Sequence, residues 1–288
     1  MTRALHPALA AVAASLLLAA CGGGGGDAGR PPPTVSGATA SAVRYSQTLT
    51  ITLNGTNLDQ ALNVSSAGCR NFVRSTTAPF VSSPTTAYYQ CQASGVGAQE
   101  VVFRGPDNAL LRTVPFTVAV PQVTMTLSNG AGVNGNIIIT LNPTEAPITV
   151  TNFLSYVNAG FYDGTVFHRL ARDAQSQAWA LQGGGYAGPL TVANTTPVLK
   201  PTNAPIQLED LNGLSNVRWT LAMARTSQPN SATSQFFINL DDNLFLNGTQ
   251  AQFGYAVFGS VTAGTDVITA AQAAACSAWP GGPIPATD

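Results

Sequence analysis

The chain has 288 residues, of which 45% are hydrophobic and 9% are charged, and its formal net charge at pH 7 is −1. This length and this hydrophobic fraction allow about two folded domains with sizeable cores. The near-neutral charge, without any basic run, excludes an electrostatic surface for nucleic acid or for an anionic membrane.

The first twenty residues are typical of an export signal. Arg3 precedes the apolar run "ALAAVAASLLLAA", which is too short to span a bilayer. Small residues lead directly into Cys21, and the arrangement resembles a bacterial lipoprotein signal, in which the cysteine is lipidated and becomes the new N-terminus. Gly22, directly after the cysteine, resembles the residue at that position in lipoprotein signals that permit sorting to the outer membrane. The alternative is an ordinary secretory signal that contains a cysteine.

Residues 21–33 have the composition of a tether, because a run of glycines gives flexibility and the following prolines give stiffness. We therefore expect a signal peptide at 1–20 and a tether at 21–33. Acyl chains on Cys21 would hold the folded domains to a membrane. The predicted location is the bacterial cell envelope, at the outer membrane and facing the periplasm.

Residues 34–120 contain short alternating runs separated by turn signals. In "QTLTITLNGTNL", Leu49, Ile51 and Leu53 fall on one face before an Asn-Gly turn. Several such strands without helical periodicity predict an Ig-like β-sandwich. The stretch "LTITLNGTNL" resembles the immunoglobulin-like, plexin, transcription-factor (IPT/TIG) family, and this part of the chain is interpreted as a spacer or binding module.

Three cysteines remain beyond Cys21. Cys69 and Cys91 are 22 residues apart in the predicted sandwich, and in an exported chain a disulfide is favoured over two buried thiols. Cys276 has no assigned role.

Residues 121–275 combine strands with two separated helices, and 276–288 form a C-terminal tail. In "EAPITVTNFLSYVNAG", Val150, Phe153 and Val157 form an apolar helical stripe, and "TDVITAAQAAA" predicts a second helix. Strand patterns occur in "GTVFHRL", "WTLAMAR", "SQFFINL" and "YAVFGSV". The expected fold is therefore mainly β, a closed antiparallel barrel capped by two helices.

The residue types present exclude several chemistries. His168 is the single histidine of the expected mature chain, so a site with paired histidines for zinc is excluded. The sequence contains no C-x-x-C, no G-x-S-x-G elbow and no Walker motif. We expect a protein that acts without metal, covalent nucleophile or cofactor.

The strand "SATSQFFINL" has two different faces. Alternation places Gln235 and Phe237 on one face, and Phe236 and Ile238 on the other. The first face therefore joins a hydrogen-bonding amide to an aromatic ring, whereas the second is apolar.

Five segments in order carry a family resemblance: "FYDGTVFHRL", "LQGGGY", "TLAMART", "SATSQFFINLDDNLFLN" and "FGYAVFGSV". Together they resemble the cyclophilin-type peptidyl-prolyl isomerases, particularly those of bacteria, over about Val123 to Ala275. The resemblance implies that Arg169 and Gln182 are catalytic. It also implies a set of substrate-binding residues, namely Phe167, Trp179, Met223, Ala224, Arg225, Gln235, Phe237, Phe245, Leu246 and Tyr255.

A peptide with proline suits the two-sided strand, because the proline ring can lie on Phe237 while an amide such as Gln235 bonds to carbonyl groups. The implied partners are proline-containing polypeptides of exported proteins. His168 is interpreted as structural, on the strand face opposite to Arg169, and without the family pattern Arg169 itself would be a solvated strand residue.

The sequence departs from the family in three places. "LARDAQSQAWAL", between Arg169 and Gln182, is longer than usual, and Trp179-Ala180 replaces the usual Phe-Met pair. The chain ends in "CSAWPGGPIPATD" where relatives add a barrel-closing strand, which leaves the seam near "QVTMTL" in question.

Three functions follow as hypotheses. The first is a membrane-tethered prolyl isomerase that assists the folding of exported proteins. The second is a weakly catalytic chaperone or interaction module of the same shape. The third is a surface adhesion or scaffold protein in which the β-sandwich is the active part.

Overall fold

The computed structural model describes residues 29–129, 132–188 and 198–274. Contacts divide the chain into two compact units, Met1–Pro32 and Pro33–Asp288. The signal peptide, Cys21, most of the tether, Cys276 and the C-terminal tail lie outside the described residues, so these assignments stay predictions, as does a domain boundary near residue 120. No helix in the described part of the chain is long and apolar enough to cross a membrane.

Residues 34–118 form two antiparallel sheets. Their strands are β1 (Thr34–Ala40), β2 (Thr48–Thr56), β3 (Asn63–Ser65), β4 (Cys69–Arg74), β5 (Thr86–Ala93), β6 (Gly97–Arg104) and β7 (Leu110–Val118). One sheet has the order β1-β2-β5-β4, and the other β3-β6-β7. The ring centroids of Tyr89 on β5 and Phe103 on β6 are 5.1 Å apart, so the two sheets meet through their apolar faces. The Ig-like and IPT/TIG assignments stay predictions.

Strand β2 shows why these residues form a sheet. Leu49, Ile51 and Leu53 are completely buried, whereas the residues between them are partly exposed. This is the alternation expected of a strand with one face on a core. Cys69 on β4 and Cys91 on the neighbouring β5 form the disulfide that the sequence favours.

The remaining strands form one larger antiparallel sheet. They are β8 (Gln122–Ser128), β9 (Asn134–Leu141), β10 (Thr165–Arg172), β11 (Ala178–Ala187), β12 (Val198–Leu199), β13 (Thr220–Met223), β14 (Phe236–Asn239) and β15 (Val257–Ala263). The order is β10-β11-β14-β13-β15-β9-β8, with β12 on β11.

The mainly-β fold class with two helices is confirmed, but within the described residues the large sheet is a curled half-barrel, not a closed barrel. Within the described residues, β8 pairs only with β9 and β10 only with β11, so the two end strands do not pair with each other. The seam is therefore open at β8, which contains the "QVTMTL" segment.

Two α-helices accompany the sheet, as predicted: α1 (Pro147–Asn158) and α2 (Thr265–Ala273). A carboxylate distant in sequence caps α1, since the backbone N–H groups of Ile148 and Thr149 donate to Glu209 at 3.1 and 2.8 Å. The ring of Phe153 packs against Phe236 at 5.6 Å, and this contact attaches α1 to the sheet.

We predict that removal of the disulfide destabilises the region of residues 34–118. The Cys69→Ala/Cys91→Ala double variant is expected to lose about 3 kcal/mol of unfolding free energy, because a loop of this size restricts the unfolded chain. Denaturant unfolding followed by circular dichroism measures the loss. Dithiothreitol should lower the stability of the wild type and leave the double variant unchanged; equal stability of the two proteins without reductant would contradict the prediction.

Candidate active site

One row of paired residues crosses four strands of the large sheet. Arg169 on β10 pairs with Gln182 on β11, which pairs with Phe237 on β14, which pairs with Ala222 on β13. Directly paired residues in an antiparallel sheet place their side chains on the same face. The backbone register therefore brings a guanidinium, an amide, an aromatic ring and a small residue into one line.

A bulge in β10 decides which side chain reaches this face. Phe167 pairs with Gly183 and Arg169 with Gln182, so two steps along β10 match one step along β11. Consecutive residues of β11 face opposite sides, and Phe167 and Arg169 therefore do so too. Phe167 packs against the main core, with its ring 6.1 Å from that of Phe236.

Arg169 begins a chain of hydrogen-bonded side chains. Its Nη1 donates to Oε1 of Gln182 at 3.2 Å, and Nε2 of Gln182 donates to Oε1 of Gln235 at 2.9 Å. Gln182 and Gln235 are only 7% and 6% exposed, whereas Arg169 is exposed. Two buried amides thus orient one accessible cation. A guanidinium has five N–H groups, and the bond to Gln182 occupies one of them.

The three glycines after Gln182 allow this packing. A Cβ on Gly185 would lie 2.7 Å from Cδ of Gln235, inside any real contact distance. Gly184 has a φ of +83°, a conformation that L side chains rarely adopt. The "QGGG" run therefore lets the β11 backbone approach the Gln235 amide closely.

Beside the amide chain lies a small apolar cluster, separate from the main core, which we call the floor. Its buried members are Ala171, Ala180, Ala222, Ala224, Phe237, Leu246 and Val257. The ring of Tyr255 meets Phe237 edge-to-face, with centroids 5.6 Å apart. Phe237 thus has a charged and amide-bearing neighbourhood on one side and an apolar one on the other.

Trp179 and Phe245 stand at the rim of the floor. Their ring centroids are 5.7 Å apart, and Phe245 is 68% exposed. Phe245 lies in a short 3-10 helix, Leu244–Leu246, that follows Asn243. Asn243 is buried, and its amide donates to the Trp179 carbonyl at 2.7 Å and to Asn239 Oδ1 at 2.8 Å. This network fixes the rim to the sheet.

Arg225 is engaged by backbone. It donates to the carbonyl oxygens of Gly254, Phe253 and Thr226, each at 2.8 Å. Its guanidinium carbon lies 4.7 Å from the centroid of the Tyr255 ring. Arg225 therefore supports the loop that carries Tyr255.

The structure gathers most of the predicted site residues and leaves two elsewhere. Met223 is 2% exposed in the main core, where it pairs with Phe236. Its neighbours Ala222 and Ala224 take the face of Phe237, as strand alternation requires. The assignments of Met223 and Phe167 to the substrate surface therefore do not agree with the structure.

The sequence interpretation missed Ala222 and Val257, which complete the floor. Both are small apolar residues in strand patterns, and only their register against Phe237 reveals the role. The interpretation of His168 also needs correction. Its side chain hydrogen-bonds with Gln235, and its ring lies 4.8 Å from Tyr186, so the bulge brings it towards the amide chain, not to the opposite side.

Burial lowers the pKa of His168 from 6.5 to about 4, because a partly desolvated imidazolium is disfavoured. The Arg169 guanidinium acts in the same direction, while hydrogen bonds with the Val166 backbone and the Gln235 side chain oppose the shift. His168 is therefore neutral near pH 7 and adds no charge beside Arg169.

The fold and the site define a protein whose half-barrel presents a cation, two amides and an apolar floor on one face. The family model described as "Cyclophilin type peptidyl-prolyl cis-trans isomerase/CLD" matches residues 122–284. This chain belongs to that family of isomerases.

Curated relatives support the same assignment. A peptidyl-prolyl cis-trans isomerase of Streptomyces antibioticus is 52% identical over 141 residues, which cover 47% of this chain and 76% of the relative. Isomerase A of Dickeya dadantii is 48% identical over 133 residues, 46% of this chain and 64% of its own length. Isomerase B of Escherichia coli is 46% identical over 138 residues, 47% and 77% of the two chains.

Among solved structures, a cyclophilin-type isomerase of Cryptosporidium parvum, crystallised in the presence of the dipeptide Ala-Pro, is 24% identical. The match covers 52% of this chain and 87% of the other, with a TM-score of 0.39. The family assignment rests on the sequence matches.

We predict that His168 makes the fold sensitive to acid. Because its folded-state pKa lies below the unfolded value, the unfolded chain binds the proton more readily between pH 6.5 and 4. The neutral group's contribution is complete above this window, and roughly 2–3 kcal/mol of unfolding free energy is lost as the pH falls through it.

Urea unfolding at pH 7 and pH 4.5 measures this loss. Carboxyl groups elsewhere in the chain also contribute to acid sensitivity. The matched comparison is therefore His168→Gln, which keeps hydrogen-bonding capacity but has no imidazole to protonate. The variant should lose distinctly less stability than the wild type over the same interval. Identical losses in both proteins would show that His168 does not titrate as described.

Proposed function

We propose that the chain accelerates cis-trans isomerisation of X-Pro bonds through Arg169, held by Gln182 and Gln235 beside the floor. The observation that carries the proposal is the Arg169–Gln182–Gln235 hydrogen-bond chain next to Phe237. It places an accessible guanidinium at the border between a polar and an apolar surface. An X-Pro bond is two-sided in the same way, because it has polar carbonyl groups on one side and an apolar proline ring on the other.

Rotation about an amide is slow because resonance gives the C–N bond partial double-bond character, with a barrier of about 18–20 kcal/mol. At the twisted midpoint this resonance is lost and the proline nitrogen gains a lone pair. A guanidinium near that nitrogen binds the twisted form more strongly than the planar one. Only such differential binding raises the rate of rotation.

The floor contributes by immobilising one side of the bond. A proline ring in contact with Phe237 and Leu246 buries apolar surface on both partners. The remaining peptide can then turn relative to the fixed ring. Since His168 is neutral at pH 7, the positive charge near the rotating bond comes from Arg169.

The required energies are modest. Each tenfold increase in rate needs about 1.4 kcal/mol of transition-state stabilisation. A hydrogen bond to a charged group contributes about 1.5–3 kcal/mol. One or two bonds made only in the twisted state would therefore provide several orders of magnitude.

The proposed clients are proline-containing segments of exported proteins, with the chain held at the outer membrane through Cys21. The Cys69–Cys91 disulfide supports this location, since such bonds persist in oxidising compartments. The lipoprotein-like signal in residues 1–21 supports it independently.

A second candidate is a peptide-binding chaperone with little catalysis. The exposed rings of Phe245 and Phe253, 68% and 60% accessible, favour it because they offer apolar contacts beyond the floor. This function would depend on the rings and not on Arg169.

We predict that Arg169→Ala lowers kcat for an X-Pro peptide by about 10²–10³ with little change in KM, because it removes a donor used only in the twisted state. Arg169→Lys should recover part of the rate, since the charge remains but the planar fork is lost. Protease-coupled isomerisation of a short peptide and proline-limited refolding provide the measurements.

Arg172→Ala is the matched control. Arg172 lies on the same strand but donates to the carbonyl of Ser176 in the hairpin turn, so its loss should leave kcat unchanged. Equal kcat for the wild type and Arg169→Ala would refute the mechanism. If neither protein accelerates isomerisation while both bind the peptide, the chaperone function is supported instead.

A further inference from the structure

A carboxylate lies behind one wall of the candidate site. Oδ2 of Asp210 accepts the backbone N–H of Gly254 at 2.6 Å. Two glycines make room for this carboxylate and for the loop beside it. A Cβ on Gly248 would be 2.3 Å from the same oxygen, and a Cβ on Gly254 would be 2.0 Å from the Gly248 nitrogen.

Gly254 continues the contact towards the site. Its carbonyl accepts a hydrogen bond from Nε of Arg225, and the Phe253 carbonyl accepts one from Nη2 of the same side chain, both at 2.8 Å. The Arg225 guanidinium in turn covers the ring of Tyr255, at 4.7 Å. The position of one peptide unit, at Gly254, thus influences both Arg225 and the residue that follows it, Tyr255.

Tyr255 connects this loop to the floor. Its ring meets Phe237 at 5.6 Å and nearly perpendicular, at 80°. Its backbone N–H donates to the Leu246 carbonyl at 2.9 Å, and Leu246 is itself part of the floor. A shift of the loop would therefore change the shape of the apolar surface around Phe237.

The segment that carries Asp210 is anchored from its other side. The preceding residue, Glu209, accepts the N–H groups of Ile148 and Thr149 and the hydroxyl of Thr149 at 2.7 Å. Adjacent acidic residues therefore fasten one piece of chain to the start of α1 and to the Tyr255 loop. Asp210 gives that loop a fixed reference point in the fold.

We propose that Asp210 is a positioning residue for substrate binding, acting through Gly254 to hold Tyr255 against Phe237. The inference rests on the proposed function, because it assumes that the floor receives the proline ring. Asp210 acts at a distance from the rotating bond, so its contribution is to the fit of the apolar wall, equally in the planar and the twisted substrate.

The full chain with Asp210→Ala should bind an X-Pro peptide about tenfold more weakly, seen as a raised KM with kcat within about twofold of the wild type. This kinetic pattern distinguishes Asp210 from Arg169, because substitution of Arg169 is expected to lower kcat and leave KM nearly unchanged. Asp210→Asn keeps a side-chain oxygen that can accept the Gly254 N–H, and it should restore KM to within about twofold of the wild-type value.

A double-variant cycle tests the route through Tyr255. If Asp210 acts through that ring, Asp210→Ala adds nothing to the KM of Tyr255→Ala, because residues of one unit are not additive. Gly248→Ala, which displaces the carboxylate, should raise KM as Asp210→Ala does, and it serves as the independent variant if Asp210→Ala does not fold. Asp107→Ala is the matched control, since Asp107 also accepts a backbone N–H, that of Ala109, in the β6–β7 turn.

Unchanged KM in both Asp210→Ala and Gly248→Ala would overturn the inference. So would KM effects that multiply in the double variant with Tyr255. The proposed function is tested separately, by the activity of the wild-type protein alone. If the wild type does not isomerise X-Pro peptides, the proposed function is refuted, whatever the Asp210 variants do. Thermal unfolding of every variant, set beside Asp107→Ala, separates the change in KM from a general loss of stability.

Discussion

The pairing of β10, β11, β14 and β13 is the constraint on which the candidate site depends. These strands could display Arg169, Gln182, Phe237 and Ala222 on one face only in the observed register, because a slip of one residue would turn each side chain to the other face. Three further features hold that register. The bulge at His168 rotates Arg169 outward, the glycines after Gln182 admit the Gln235 amide, and the apolar residues on the other face bury themselves in the main core.

The site is built from two layers of different purpose. The buried amide of Gln182 donates to Gln235 and accepts from Arg169, so its burial is offset by hydrogen bonds and the Arg169 head group is oriented but accessible. The apolar floor beside them consists of four alanines together with Phe237, Leu246 and Val257, and the aromatic rings of Trp179 and Phe245 stand at its rim. In the proposed mechanism, the Arg169 cation beside this dry surface would interact more strongly with a developing lone pair than it would in water.

The local sequence pattern correctly predicted the features that depend on the alternation of side chains along a strand or on the periodicity of a helix. Gln235 and Phe237 share a face while Phe236 and Ile238 lie in the core, and α1 begins at Pro147 and buries Phe153. The placement of residues that depends on long-range strand pairing was harder to predict. Met223 and Phe167 were assigned to the substrate surface, yet the register and the bulge turn them into the core. Arg225 could not be separated from Arg169 by type, because only the folded loop supplies the three carbonyl groups that engage it. Barrel closure was likewise beyond a local pattern, since it requires a partner for β8 far along the chain.

Strand β14 has no side that faces solvent. All four of its residues are buried, two against helix α1 and the main core, and Phe237 in the floor. A few adjacent side chains therefore belong both to the main core of the half-barrel and to the surface of the candidate site. On this strand, a substitution made in one layer reaches the other across a single peptide plane. A change in β14 that reshapes the surface around Phe237 is therefore expected to alter the stability of the core as well.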